Sequence, residues 1–223
     1  MDLMTVTPAV YGPVRSWRFG QSLGIDLLGA VSTCSFQCRY CQLGTIERLT
    51  CDRTEFVPTQ QVATELHQMP PAAIDVVTFS GSGEPTLARN LAAVIAVVRQ
   101  QVRRPIVVLT NGTLLGDRTV RQDLAAVDIV AVKIDAVTAQ QWQALNRPAT
   151  RLNLEAVFAG IMTFREMFKG HLAIQTMVMA PWSQQDEERY KTLIQALSPD
   201  EVQLNTPLRP RPLTPPSQCP RQS

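Results

Sequence analysis

The sequence of 223 residues is poor in the features that mark membrane proteins and highly charged binding proteins. No apolar run approaches the roughly 20 residues that a helix needs to span a bilayer. The amino-terminal segment lacks a basic region followed by an apolar core. Lysine and arginine number 21 against 19 acidic residues, so no strong charge bias indicates nucleic acid or a membrane surface. We therefore expect a cytoplasmic protein with no membrane partner.

Histidine is also scarce, and neither His67 nor His171 has a neighbour in sequence that predicts an acid-base pair. Cysteine occurs five times, an odd number, and three of the five lie between Cys34 and Cys41. In a chain of this length such crowding favours metal ligation by reduced thiols over a disulfide framework. Cys51 and Cys219 lie outside the group, and we interpret them as free thiols.

Short β-branched and apolar runs predict six strands. They cover 23–28, 74–80, 106–110, 129–134, 172–179 and 202–204. Apolar residues at helical spacing predict five helices between them, over 59–69, 87–103, 119–126, 154–168 and 184–197. Nearly continuous apolar strands separated by helices are typical of a parallel sheet, which forms either an open doubly wound sheet or a barrel. In both folds, functional residues collect on the loops that follow the strands.

One domain over residues 1–205 accommodates all of these elements, because α/β barrels of this size commonly form a single core. After Asn205 the composition changes to repeated proline with unbalanced arginine. Proline removes backbone donors, so we expect an extended tail over residues 206–223.

The segment GAVSTCSFQCRYCQLG places Cys34, Cys38 and Cys41 in a loop directly after the first predicted strand. Structural metal sites normally have four protein ligands, whereas three ligands leave a metal position open to exogenous chemistry. The spacing therefore suits a 4Fe-4S cluster with one free iron. A zinc site completed by Cys51 or His67 is the alternative.

Polar residues and glycines end the next predicted strands. TFSGSGEPTL supplies Gly81, Ser82, Gly83 and Glu84, where the glycines permit close backbone approach and the glutamate adds a carboxylate. LTNGT supplies Thr110 and Asn111 after the third strand, although Asn-Gly alone indicates only a turn.

On the fourth strand, Lys133 and Asp135 occupy alternate positions, so both side chains can point to the same face. They are interpreted either as a self-satisfied ion pair or as ligand contacts. Gln175 and Asn205 are further candidates for lining the same mouth.

With Tyr40 between the last two cysteines, the C-x3-C-x-aromatic-C pattern resembles the radical S-adenosylmethionine (SAM) superfamily. The resemblance implies a partial (β/α)6 barrel with parallel strands. It implies a 4Fe-4S cluster on Cys34, Cys38 and Cys41, and SAM as the second cofactor. The residues that it places near SAM are Tyr40, Gly81, Ser82, Gly83, Glu84, Thr110, Asn111, Lys133, Asp135 and Gln175.

The same resemblance implies a reaction. An external electron donor such as flavodoxin or ferredoxin reduces the cluster, SAM is cleaved to methionine and a 5′-deoxyadenosyl radical, and the radical abstracts hydrogen from a substrate. The segments SLGIDLLG, NRP and VQLNTPLRP further resemble a wyosine-synthase-like subgroup of Fe-S oxidoreductases.

The substrate stays open at this point. A small molecule or a peptide is the leading expectation. A tRNA-modifying enzyme is the second, for which the basic tail and Arg147, Arg151 and Arg165 give support. A non-catalytic zinc or iron-sulfur binding module is the third.

Overall fold

The computed structural model describes residues 7–69 and 73–207. Its centre is a seven-stranded sheet whose strands follow one another in the order β1-β2-β5-β6-β7-β8-β9. The strands of this sheet are β1 (Val10–Ser16), β2 (Gly20–Ile25), β5 (Val76–Phe79), β6 (Ile106–Thr110), β7 (Ile129–Lys133), β8 (His171–Met177) and β9 (Glu201–Asn205). All neighbours from β2 to β9 are parallel, and β1 is antiparallel to β2.

Each parallel strand pairs with the next parallel strand along the chain, and β2 does not pair with β9 in the described part of the chain. This is the arrangement of an open, partial barrel. The predicted α/β fold with six parallel strands is therefore confirmed. A separate two-stranded ribbon joins β3 (Thr33–Cys34) to β4 (Arg48–Leu49), so Cys34 ends a short strand rather than lying in a free loop.

In the described ranges, six helices connect the strands. They are α1 (Thr59–Gln68), α2 (Leu91–Gln101), α3 (Arg118–Leu124), α4 (Ala139–Leu145), α5 (Leu154–Met167) and α6 (Gln184–Leu197). Short polar side chains cap several of them, as Asn153 does when its Oδ1 accepts from Ala156 N at 2.9 Å. The prediction that α2 starts at residue 87 is wrong, because Pro85–Leu87 form a separate 3-10 turn before Leu91.

The first predicted strand is displaced along the chain. It was expected over 23–28, whereas β2 ends at Ile25 because the next residue turns the chain. The carboxylate of Asp26 accepts from Leu28 N at 3.0 Å, which stabilises a turn rather than an extended chain.

Two further elements were not predicted. Strand β1 contains Gly12 and Pro13, which weaken a strand pattern, but β1 is an edge strand with an irregularity between Tyr11 and Val14, and an edge tolerates both residues. Helix α4 is short and has a single buried residue, Trp142, so its periodicity is faint.

The apolar faces of the helices and the sheet form one core that includes Phe79, Leu91, Val108, Ile161 and Phe164, all at most 2% exposed. Burial of such side chains is the main stabilising contribution to folding. Among the described residues, no helix combines the length and the apolar character needed to cross a membrane. Most of the predicted tail, including Cys219, falls on residues 208–223, which lie outside the described residues.

Candidate active site at the carboxyl edge of the sheet

The cysteine segment lies against the loop that follows β5. Thr33 N donates to Ser82 O at 2.8 Å and Glu84 N donates to Thr33 O at 3.0 Å, which makes a parallel bridge between Thr33 and Gly83. The opposite side of the segment is bonded to the end of α4, where Arg39 N donates to Leu145 O at 2.9 Å. The segment is therefore held between two loops at the carboxyl edge of the sheet.

Two of the three cysteine sulfurs accept hydrogen bonds from side-chain amides. Asn111 Nδ2 lies 3.6 Å from Cys34 Sγ, and Asn146 Nδ2 lies 3.4 Å from Cys38 Sγ. Burial raises the pKa of Cys38 to about 11 and raises that of Cys34 well above its ordinary value, in the second case helped by the charge of Glu84. Both thiols are therefore neutral at pH 7 until a metal supplies positive charge, and the amide donors stabilise the thiolate that then forms.

The donor set fits an iron-sulfur cluster chemically. Cys34, Cys38 and Cys41 lie on one anchored segment and form no disulfide, and Cys38 and Cys41 are both near enough to Cys34 to contribute to its raised pKa. Within the described ranges, no three His, Cys, Asp or Glu side chains converge in the way that a single metal ion requires. In a cubane cluster each cysteine binds a different iron atom, so three ligands to one ion are not needed.

The carboxylate of Glu84 joins the loops after β5 and β6. Its Oε1 accepts from Thr110 Oγ1 at 2.7 Å and from the Thr86 hydroxyl at 2.6 Å, and its Oε2 accepts from Asn111 N at 2.7 Å. Glu84 is only 2% exposed, and burial raises its pKa. The predicted contact between Glu84 and the amine of SAM stays a prediction.

The loop glycines have a clear structural reason. Gly83 has φ of +148°, and a Cβ atom there would overlap the carbonyl oxygen of Thr33. Gly81 has φ of +143° and packs against the side chain of Asp26. Asp26 Oδ2 also accepts from Ser82 N at 2.9 Å and from Ser82 Oγ at 2.6 Å. Close approach of three segments thus requires glycine at both positions.

A second polar group forms around Asp135, which is 4% exposed. Its Oδ2 accepts from the hydroxyl of Tyr40 and from Asn146 Nδ2, the latter at 2.8 Å. Lys133 Nζ lies 3.5 Å from Asp135 Oδ1 and 4.9 Å from the centre of the Tyr40 ring. Both interpretations of the Lys133 and Asp135 pair therefore remain compatible with the geometry, since the two are paired and also stand beside the cysteine segment.

The structure brings most of the predicted site residues together. Hydrogen bonds link Cys34 to Asn111 and, through Asn111, to Glu84. On the other side, Asn146 links Cys38 to Asp135, which also contacts Tyr40 and Lys133. Gln175 is different: it pairs with Lys133 in the register of β7 and β8, but its side chain donates to Gln203 Oε1 at 2.8 Å.

Sequence reasoning missed roles for Asp26 and Asn146. Both lie in segments that were noted only as family resemblances, SLGIDLLG and NRP. Asn146 is 1% exposed and is 108 positions from the cysteine that it contacts, so no local pattern indicates the contact. A buried polar side chain in a motif without a role is the signal that would have found it.

Comparison with known proteins gives the family. The model of the radical SAM superfamily matches residues 30–193, which is most of the chain. The UPF0026 protein slr1464 of Synechocystis is 51% identical over 209 residues, covering 94% of this chain and 79% of that protein. The chain therefore belongs to the radical SAM superfamily and, within it, groups with the UPF0026 proteins.

A second UPF0026 protein, MJ1312 of Methanocaldococcus jannaschii, is 34% identical over 206 residues, covering 90% of this chain and 64% of that protein. Among solved structures, Streptococcus suis SuiB bound to S-adenosylmethionine matches with a TM-score of 0.61 at 13% identity, over 82% of this chain and 38% of SuiB. That similarity concerns the fold. The chain thus spans under two thirds of some relatives and well under half of SuiB.

Membership of the superfamily makes this protein an enzyme. Its cofactors are a 4Fe-4S cluster and SAM, as the family implies.

Proposed function

We propose that the protein cleaves SAM reductively at a 4Fe-4S cluster held by Cys34, Cys38 and Cys41, and that the radical formed abstracts hydrogen from a small-molecule or peptide substrate. The observation that carries this proposal is the pair of amide donors, from Asn111 and Asn146, directed at two of the three cysteine sulfurs. Hydrogen bonds to cluster sulfurs are a main way in which proteins set cluster potentials.

The cofactors supply the radical chemistry, and the protein residues position and enclose them. Cys34 and Cys38 are held by segments that are bonded to neighbouring loops, so their sulfur atoms have defined positions. We propose that the loop from Gly81 to Glu84 together with Thr110 and Asn111 forms one wall of the SAM site. Tyr40, Lys133 and Asp135 form the opposite wall, with Gln175 next to Lys133 on the sheet.

The pairing of the basic side chains bears on the substrate class. Two of the three arginines that favour tRNA are paired, Arg151 with Asp52 at 2.7 Å and Arg165 with Asp200 at 3.1 Å. Paired arginines are less available to phosphates, which favours a small molecule or a peptide over tRNA. SuiB has been solved bound to the precursor peptide SuiA, which is a peptide substrate class on a related fold.

The finer expectations follow from this proposal. We propose a cytoplasmic enzyme that receives electrons from a carrier such as flavodoxin or ferredoxin. The wyosine-synthase-like resemblance keeps tRNA modification as the second candidate. Filter binding of tRNA at several salt concentrations separates the two candidates. A tRNA-modifying enzyme contacts several phosphates, so its affinity for tRNA should fall steeply as the salt concentration rises.

Anaerobic reconstitution with iron, sulfide, SAM and dithionite tests the proposal. We expect a brown protein with about four irons per chain, since three thiolates at this spacing suit a cubane cluster, and we expect 5′-deoxyadenosine as a product. A colourless protein that binds one zinc and forms no 5′-deoxyadenosine would establish the non-catalytic module instead.

A further inference from the structure

The open side of the partial barrel is bridged by one arginine. Strands β1 and β9 are the two outer strands of the sheet, and Arg18 lies in the turn between β1 and β2. Its Nη2 donates to Asn205 Oδ1 at the end of β9, at 3.2 Å. The β1-β2 turn therefore reaches across the gap to the carboxyl edge of the opposite outer strand.

The register of the sheet shows which face Arg18 reaches. Lys133 pairs with Gln175, and Gln175 pairs with Gln203, so the three residues form a row across β7, β8 and β9. Asn205 is two positions after Gln203 and shares its face, because side chains alternate along a strand. Arg18 contacts this face through Asn205, two residues beyond the Gln203 end of the row, and the other end of the row, Lys133, lies beside Tyr40 and Asp135.

The row consists mainly of neutral amides. Gln175 Nε2 donates to Gln203 Oε1 at 2.8 Å, and Asn205 Nδ2 donates to Gln203 O at 3.3 Å. Strands lie about 4.8 Å apart, so the row from Lys133 to Gln203 spans roughly 10 Å.

The guanidinium of Arg18 is not neutralised by the described residues. It makes no salt bridge there, and its Nε is buried without a hydrogen-bond partner. Glu201 influences it electrostatically, but the carboxylate of Glu201 lies 3.3 Å from His171 Nε2. Burial lowers the pKa of Arg18, and the ring of Trp17 lies 4.6 Å from its charge. A partly buried cation with an unused donor is costly to keep unless an anion joins it.

We infer that Arg18 and the amide row of Gln175, Gln203 and Asn205 form a substrate subsite that binds an oxyanion, a carboxylate or a phosphate group, at Arg18. The planar guanidinium matches the geometry of both groups. The inference rests on the proposed function, because it assigns the oxyanion to the substrate whose reacting end faces Lys133 and the cysteine segment.

Oxyanion binding to the reconstituted protein tests this subsite. Thermal unfolding is followed during titration with sodium phosphate, and separately with sodium succinate, at an ionic strength held constant with sodium chloride. We expect a saturable increase in Tm for the wild type with at least one of the two, and the responding anion identifies the group. In Arg18→Gln the apparent affinity should fall by about ten- to a hundredfold, as loss of a charge-assisted hydrogen bond implies.

Arg15→Gln is the matched control. Arg15 is an exposed arginine of the same hairpin, on β1, where it pairs with Gln21 of β2. It should keep the wild-type affinity. Arg18→Lys keeps the charge and loses the Nε donor, so it should bind less tightly than the wild type even if Arg18→Gln does not fold.

Equal oxyanion affinity in the wild type and both Arg18 variants would overturn the inference, as would a wild type that responds to neither anion. The measurement does not use turnover. If the wild type forms no 5′-deoxyadenosine but its oxyanion response depends on Arg18, the proposed function fails and the subsite stands. If 5′-deoxyadenosine forms but no oxyanion response depends on Arg18, the proposed function stands and the subsite is overturned.

Discussion

Thr33 and Gly83 form an isolated parallel β-bridge, and this bridge fixes the distance between the cysteine segment and the loop that carries Glu84. Only a residue without a Cβ atom fits, because the carbonyl oxygen of Thr33 occupies the position that the Cβ would take.

Gly83→Ala should therefore lower the free energy of unfolding by about 3 kcal/mol or more, through overlap with backbone and an unfavourable φ together. Urea unfolding measures the change. Gly116→Ala is the control, since a Cβ atom at Gly116 would have no heavy atom within 4 Å. A similar loss of stability in both variants would show that the bridge does not constrain the site.

The three cysteines should be separately required for the cluster. Cys34→Ala, Cys38→Ala and Cys41→Ala should each lose the iron and the brown colour after reconstitution, because an alanine removes a ligand outright. Cys51→Ala should retain the iron, since Cys51 lies outside the triad. Iron analysis and the visible spectrum give the answer, and iron loss in Cys51→Ala would reveal a fourth protein ligand.

Asn146→Ala should shift the midpoint potential of the cluster to more negative values while the iron content stays unchanged. Its amide donates to Cys38 Sγ at 3.4 Å, and a hydrogen bond to a ligand sulfur favours the more negatively charged, reduced cluster. A redox titration followed by electron paramagnetic resonance measures the shift. Gln143→Ala, an exposed position on α4, serves as the control, and an identical potential in Asn146→Ala would exclude this role.

Glu84→Gln should lower the stability of the fold, whatever its effect on the cofactors. Both carboxylate oxygens accept hydrogen bonds, and a glutamine would place an NH2 group against one set of donors. The expected loss is roughly 1 to 3 kcal/mol in the free energy of unfolding, the usual cost of a buried unsatisfied group. Glu55→Gln, at an exposed position, should have no comparable effect in the same urea titration.

SAM affinity of Glu84→Gln, measured by calorimetry on the folded fraction, then tests the predicted amine contact. Loss of a charge-assisted hydrogen bond should weaken binding by about ten- to a hundredfold. Unchanged affinity would assign Glu84 to loop positioning alone.

Acid sensitivity should depend in part on Asp128, at the start of β7. Burial acts to raise the pKa of Asp128, but hydrogen bonds from Arg99 and from Ile106 N outweigh it, so the net pKa is lowered. A carboxylate with a lowered folded-state pKa stabilises the fold above its unfolded pKa, and this stability is lost as pH falls through the folded value. Asp128→Asn should therefore show a shallower loss of stability between about pH 5 and pH 3. An unchanged slope in acid unfolding curves would contradict this.

Period and composition were enough to predict the repeated parallel strands and most of the helices, because buried parallel strands have continuous apolar runs. Strand β1 was not predicted because Gly12 and Pro13 interrupt its pattern. Its place at the sheet edge depends on the tertiary structure. Local rules gave no indication of it.

The site residues likewise include some that the sequence predicts and some that it does not. Motif spacing predicted Cys34 and its neighbours, because their chemistry depends on residues close in sequence. The roles of Asp26 and Asn146 depend on contacts across 56 and 108 positions, which only the folded chain brings together. Glu84 is predicted from its motif as a carboxylate for the SAM amine, and the hydrogen bonds that it accepts from Thr86, Thr110 and Asn111 become visible only in three dimensions.

The anchoring of the cysteine segment has an entropic consequence. Backbone hydrogen bonds join this segment to Ser82, to Arg48 and Thr50, and to Leu145, and these bonds involve no cysteine side chain. Small metal-binding domains often lose much of their conformational freedom when the metal arrives, and their affinity for the metal is reduced accordingly. Bonds within the fold hold the ligand backbone here, so less conformational entropy should be lost when iron binds and more of the iron-sulfur bond energy should remain available as cluster affinity.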